Sequence, residues 1–221
     1  MYNTDQSATE CMLSHHLNLF YPAQLLSEYS RNIITSLVDH AELEAVNCLR
    51  EWKEFPGISD LDPLHSRQYC TFLVKLGLAL FKNGYPKESD IISCLNKSLH
   101  GCEIFGHVAM PLSFLIGHTL GIVLGRAEIG ENIVIQHNVT IGIWDSETPL
   151  ISDSVVLLHG CTIAGRSLIG SNSVIAPGVK VVNRVVPSGV LVFQGEGGGL
   201  VFKENKKSLI SKLLAIQNNT V

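Results

Sequence analysis

Apolar positions divide the chain into two textures. Over residues 1–102 they recur at helical spacing. Pro22 suits the first turn of a helix that runs, with a break, to about Trp52, with Leu25, Leu26, Ile33, Leu37 and Val38 near one face. Phe55-Pro56-Gly57 interrupts it. A second helix fits Leu64–Lys82, with Phe72, Leu73, Leu76, Leu80 and Phe81 inward, and Asn83-Gly84 ends it. Pro86 opens a third helix to about His100, where Gly101 supplies the stop. This half reads as a helical scaffold without a catalytic constellation, and His15-His16 reads as a solvated pair.

From Val123 the period changes to six. Val123, Ile129, Ile135 and Ile141 are followed, after one interruption, by Ile151, Leu157, Ile163, Ile169, Ile175 and Val181. Four residues on, the side chains are small or β-branched, from Ala127, Ile133 and Val139 through Cys161, Ser167 and Ser173 to Val179 and Val185. One residue on, Gly130, Gly142, Ala164, Gly170 and Ala176 suit tight corners. Neither an amphipathic helix nor a flat strand has this period. It is the hexapeptide repeat of a parallel β-helix, in which three hexads close a triangular coil around the aliphatic residues. Spacing does not set the hand of the coil, and the general crossover rule favours a right-handed one. Lys203–Asn218 carries a C-terminal helix pattern. The expected organisation is a helical domain over 1–102, a β-helix over 103–202, and a C-terminal helix and tail over 203–221.

Composition narrows the setting. The chain is 46% hydrophobic and 16% charged, against about a quarter charged in an average protein. Disorder is excluded, and apolar surface buried between subunits is expected, as a trimer or a dimer of trimers. A net charge of −4 argues against a nucleic-acid grip. The six cysteines form no CxxC pair, and MYNTDQSATE lacks the basic start of a secretory leader. Free thiols in a cytoplasmic setting follow. Val108–Gly125 is an uncharged stretch of 18 residues, but its Pro111, His118 and three glycines argue against a membrane span.

Hexads three apart stack on one face. Those starting at 117, 135 and 157 carry His118, His137 and His159, which places three imidazoles together at the side of the prism. The interruption from Ile141 to Ile151 is four residues longer than the repeat needs, so GIWDSETPL should project as a loop, with Trp144, Asp145 and Glu147 available to a ligand.

The stretch GHTLGIVLGRAEIGENIVIQHNVTIG resembles the active-site stretch of the serine acetyltransferases, which are left-handed β-helix acyltransferases. The resemblance implies an acetyl-CoA-dependent O-acetyltransferase with acetyl-CoA as co-substrate, no permanent cofactor and no metal. It implies that His118 is the general base, oriented by an acid fifteen positions earlier, here Glu103 where the family usually has Asp. It also implies acceptor contacts from His137, Trp144, Asp145 and Glu147, and acetyl-CoA contacts from Gly142, His159, Gly160, Ala176 and Lys203. A neutral imidazole, titrating near about 6.5, can take a proton at cell pH, and a carboxylate behind it stabilises the imidazolium.

The departures concern the acceptor. Gly117 replaces the Asp that contacts serine in the family, and Glu147-Thr148 precede Pro149 where an Arg-His pair usually does. Proteins that resemble this helical half often act on sugars of surface polysaccharides, so the resemblance implies serine or a sugar hydroxyl as the acceptor. FQGEGGGLVF (Phe193–Phe202) replaces the usual closing motif. Serine acetyltransferases often end in Ile and insert that tail into a partner synthase; Val221 predicts no tight complex of that kind. Two other readings compete. LLHGCTI (Leu157–Ile163) is similar to the zinc-binding HGC of γ-class carbonic anhydrases, although the further His expected five residues earlier is Ser154. A non-catalytic assembly subunit is the third.

Overall fold

A computed structural model describes residues 6–215. The first five residues of the segment read for a leader, part of the Lys203–Asn218 pattern and the Asn218–Val221 tail lie outside the described residues. Five helices come first: α1 (Ala8–Phe20), α2 (Glu28–Ser36), α3 (Val38–Arg50), α4 (Ser66–Lys82) and α5 (Pro86–His100). The expected helix from Pro22 to Trp52 is α2 and α3, joined through Leu37. The α5 bounds match the expectation at both ends. Pro86 opens it, and Gly101 closes it in the left-handed region at φ 63°. α1 was not foreseen. It is capped by Ser7, whose hydroxyl accepts from the Glu10 N–H. His16 lies in α1 with its Nδ1 3.1 Å from the Tyr69 hydroxyl, so it is not a solvated tail residue.

The rest is a left-handed parallel β-helix of three faces. The first face stacks Cys102–Ile104, Ile122–Leu124, Thr140–Gly142, Thr162–Ala164 and Lys180–Val182. The second stacks Glu128–Ile129, Leu150–Ile151, Leu168–Ile169 and Val185–Val186. The third stacks Phe114–Ile116, Ile133–Ile135, Val156–Leu157, Val174–Ile175 and Val190–Gln194, and ends with Leu200–Glu204 running antiparallel. The crossover rule, which rests on a helix packing back onto the sheet, does not govern corners this short. Left-handed backbone turns them instead: Asn132, Asn138, Ser154, Gly160, Asn172, Gly178 and Gly189 all have positive φ, each three residues past an inward aliphatic.

That placement corrects the role given to the glycines one residue on. Gly130 and Gly170 do not have positive φ; their backbones are crowded. A Cβ on Gly130 would sit 2.8 Å from the Asp153 nitrogen, and one on Gly170 would lie in contact with Ser188.

Inward aliphatics form three registered columns. Leu124, Ile141, Ile163 and Val181 stack on the first face. Ile129, Ile151, Ile169 and Val186 stack on the second. Ile116, Ile135, Leu157, Ile175 and Val192 stack on the third. The strict frame fails at Val123 and Val185, which are 41% and 64% exposed. The chain takes five residues, not six, from Leu124 to Ile129 and from Val181 to Val186, so the inward position shifts by one.

The helices cover the third face and one end of the prism. Leu115, Val134, Val156 and Val174 point outward there and are buried against Leu49, Trp52, Phe55 and Ile210. Cys48, Cys70, Val74 and Leu78 close the end of the prism core. Lys75 is buried at this junction and donates to the Pro111 and Leu112 carbonyls at 3.2 and 2.9 Å, which satisfies a charge that would otherwise be costly to bury.

A C-terminal helix, α6 (Leu209–Leu213), follows. It starts later than the pattern from Lys203 suggested, because residues through Glu204 complete the hairpin with Val190–Gln194. Val108–Gly125 forms two strands and their corners, and no helix among the described residues is long and apolar enough to cross a membrane.

Candidate active site

The first coil also corrects the histidine column, because it takes nineteen residues from Ile116 to Ile135, not eighteen, eight of them from Ile116 to Leu124. His118, His137 and His159 each stand two residues past the inward residues Ile116, Ile135 and Leu157, which are in register. All three therefore occupy the same corner, between the third and first faces, in successive coils. His118 and His137 meet edge to face with centroids 5.5 Å apart. His137 and His159 stack at 5.1 Å with planes 2° apart. His118 and His159 are exposed, while His137 is half-buried between them. The His137 Nδ1 is buried and without a hydrogen-bond partner. Stacked rings do not converge their nitrogens on a point. Among the described residues no group of three His, Cys, Asp or Glu side chains is arranged to hold a metal ion.

Gly160 belongs to this corner, its N–H donating to the His137 carbonyl at 3.1 Å, and the Gly178 N–H donates to His159 in the same way at 3.0 Å. Ala176 lies buried one coil further on. Glu103 reaches the outer side of the first face, in register with Val123. Its carboxylate forms an ion pair with Lys97 from the last turn of α5. The paired carboxylate raises the Lys97 pKa above its ordinary value, chiefly through the hydrogen bond.

The interruption folds as a tight hairpin rather than an open loop. Trp144 and Glu147 exchange backbone hydrogen bonds at 3.1 Å, and Asp145 and Ser146 between them have φ 54° and 64°. Two successive left-handed residues make a type I′ turn, the twist that suits a two-residue hairpin. Trp144, Asp145 and Glu147 are exposed. They project, with Gly142, from the corner between the first and second faces. Within one chain the structure thus brings His118, His137, His159 and Gly160 together and holds Gly142, Trp144, Asp145 and Glu147 at the opposite corner of the first face. Lys203 is not at a helix start. It pairs across the hairpin with Leu191 and lies 5.3 Å over the Phe193 ring.

One feature escaped sequence reasoning. A cleft of about 420 Å³ lined by Gly178, Lys180, Val182, Arg184, Gln194 and Gly198 continues the histidine corner into the last coils. Gln194 ties it together, accepting from the Lys180 N–H at 3.1 Å and donating to the Gly199 carbonyl at 3.0 Å. Arg184 donates to the Gly198 carbonyl at 3.0 Å. The signal available in the sequence was the pair of basic residues at outward positions beside the glycine-rich Phe193–Phe202 segment.

No protein-family model matches the chain. It is 28% identical over 121 residues to a putative serine acetyltransferase of Schizosaccharomyces pombe, covering 52% of this chain and 45% of that one. It is 32% identical over 99 residues to a serine acetyltransferase of Mycobacterium tuberculosis, covering 42% and 43%. The chain spans about half the length of these curated relatives. Among solved structures, the serine acetyltransferase of Brucella abortus in complex with coenzyme A superposes with a TM-score of 0.65 at 22% identity, over 90% of this chain and 83% of that one. The chain is thus similar in sequence to serine acetyltransferases over about half its length, and it shares the fold of a solved one.

Proposed function

We propose that the chain is an acetyl-CoA-dependent O-acetyltransferase that moves an acetyl group from the thioester to a hydroxyl of serine or of a sugar. The observation that carries this reading is an exposed His118 at the head of a corner column that leads, coil by coil, to a basic cleft. Coils stack at about 4.8 Å, so Gln194, four coils beyond His118, stands about 19 Å away. A thioester placed at His118 then puts an extended pantetheine arm along His137, His159 and Gly160, with its phosphates at Lys180 and Arg184. Lys203, on the third face beside Phe193, is a secondary contact. The curated relatives being serine acetyltransferases, and a fold neighbour holding coenzyme A, support the same assignment.

In this mechanism the neutral His118 imidazole accepts the acceptor hydroxyl proton as the oxygen attacks the thioester carbonyl. The tetrahedral intermediate collapses, the carbon–sulfur bond breaks, and the departing thiolate takes the proton back from His118. An O-acetyl ester and free coenzyme A result. No cysteine stands at the column, so the transfer is direct. Glu103 serves His118 as orienting acid once its carboxylate turns from Lys97. Trp144, Asp145, Glu147 and Gly142 complete a site between neighbouring chains of a homotrimer, because within one chain they face away from His118.

Thiol release from acetyl-CoA with amino-acid and sugar acceptors tests the reading. Acceptor-dependent release that His118→Ala abolishes is expected. Release that needs no acceptor, or that survives His118→Ala, overturns it.

A further inference from the structure

Glu103 and His118 are joined through the backbone of the first coil. The Gly121 N–H donates to the Gly101 carbonyl at 2.9 Å, which lays the turn after His118 on the residues before Glu103. Cys102, Glu103 and Ile104 then pair in register with Ile122, Val123 and Leu124. The ring leaves this stretch at the corner, and the carboxylate leaves it on the outer side of the first face. The partner of that carboxylate is Lys97. Gly101 makes the pairing possible, because its φ of 63° ends α5 and starts the face within reach of the last helical turn. The pair is open to water, with the two side chains 58% and 26% exposed.

A carboxylate beside a general base has two opposed effects. It stabilises the imidazolium that forms as the acceptor proton is taken, which speeds the reaction. It also stabilises imidazolium in the resting enzyme, which removes the base. Only an interaction that is stronger in the transition state than in the ground state accelerates the chemistry. Lys97 separates the two effects. While His118 is neutral, the ammonium is the cation that matches Glu103. As His118 takes the proton a second cation appears, and the carboxylate turns to it. An exposed ion pair resists such a turn by no more than about fivefold. The other titratable groups about the pair have their own settings. Cys94 lies one turn back on α5, His100 is held by Asn96, His107 stacks on Phe105, and His137 is the ring beneath His118. Val123 and Thr140, next along the face, carry no charge.

We propose that Lys97 is a positioning residue for the transfer: it holds the Glu103 carboxylate while His118 is neutral and yields it as the proton arrives. The inference rests on the acetyl-transfer reading above, with His118 as its base.

The test is the pH profile of thiol release from acetyl-CoA, with whichever of L-serine and N-acetylglucosamine the wild type acetylates, for Lys97→Met, Lys97→Arg, Glu103→Gln and the Lys97→Met/Glu103→Gln double variant. His118 acts only when neutral, so kcat/KM falls on the acid side as the ring protonates. Without the ammonium, Glu103 stabilises imidazolium from the start. The acidic limb of Lys97→Met should therefore move to higher pH by about 0.5–1 unit. Its plateau kcat should stay within about fivefold of wild type, with KM for acetyl-CoA unchanged. Lys97→Arg keeps the charge and should keep the wild-type limb. In the Glu103→Gln background, Lys97→Met should move the limb less than half as far, since water and salt screen the ammonium from the ring. NMR titration of the His118 ring should follow the same order. An unmoved limb in Lys97→Met, or an equal movement in both backgrounds, overturns the Lys97 assignment and leaves acetyl transfer standing. Absence of thiol release from the wild type with both acceptors removes the transfer reading and this inference with it.

Discussion

The imidazoles of His137 and His159 lie parallel, 5.1 Å between centroids and 2° between planes. That pairing, with His118 set edge-on above it, makes the corner a continuous wall of rings with His137 half-buried in the middle and His118 exposed at its head.

His118→Ala should therefore lower kcat by about 10²–10⁴-fold, the usual worth of a positioned general base. His118 is exposed and contributes little packing, so the circular dichroism melt should match the wild type. His137→Ala and His159→Ala should act on KM for acetyl-CoA instead. Activity in His118→Ala together with loss in His137→Ala would place the base one coil lower.

The shifted hexad frame makes a paired prediction. Ile163 is fully buried in the first-face column, whereas Val123 is 41% exposed. Ile163→Asp strands a carboxylate in a dry core and should cost several kcal/mol, on the order of 3 or more. Val123→Asp, which a strict six-residue count would also place inside, should change stability by less than about 1 kcal/mol. Urea melts of the two variants check this, and equal losses would restore the strict frame.

Stability should fall as pH drops below neutrality, through His100. Burial first, and then the neighbouring His16, push its pKa down from 6.5 to about 4. Its Nδ1 lies 2.8 Å from the Asn96 Oδ1, and Tyr69 meets the ring edge-on. The unfolded chain binds a proton near pH 6.5 and the folded chain resists one until about 4. Between those values the unfolded state carries more protons, so acid favours unfolding. The loss reaches roughly 3 kcal/mol at the acid end. His100→Gln should flatten the Tm against pH curve between 6.5 and 4.

Native thiol labelling should be selective. Cys48, Cys70, Cys102 and Cys161 are buried, while Cys94 is exposed and Cys11 intermediate. Burial pushes the Cys48 thiol up to about 11 and the Cys161 thiol up to about 12. Mass spectrometry after brief iodoacetamide treatment should find Cys94 modified first, then Cys11, with the other four protected until denaturant is added.

The β-helix was legible because one aliphatic in six must point inward, and Ile135, Leu157, Ile163 and Ile175 obey that without exception. α5 was legible because Pro86 and Gly101 each force a backbone choice. α1 was missed because only Thr9, Leu13 and Leu17 of its thirteen residues are buried, so tertiary contact rather than periodicity holds it. The Ser7-x-x-Glu10 spacing was the available local signal. The histidine column was legible once strands were stacked, but the eight-residue corner from Ile116 to Leu124 hid its true alignment, since a count of six steps over it. The contact of the Gln136 side chain with Gly117 joins residues of successive coils, whose proximity depends on the register of coils, which no local pattern encodes.

The antiparallel return of Leu200–Glu204 has a consequence for self-association. A parallel coil presents, at its last turn, a row of unpaired amides and carbonyls that could template a coil of another molecule. On the third face that row is already taken: Val190–Gln194 pairs with Leu200–Glu204 from Val190↔Glu204 to Gln194↔Leu200. The outer strand runs the wrong way for a further parallel rung, and Lys203 and Glu204 place charge along it. The hairpin works as an end stop that turns a repeat with no intrinsic length limit into a particle unable to lengthen into a filament through this face.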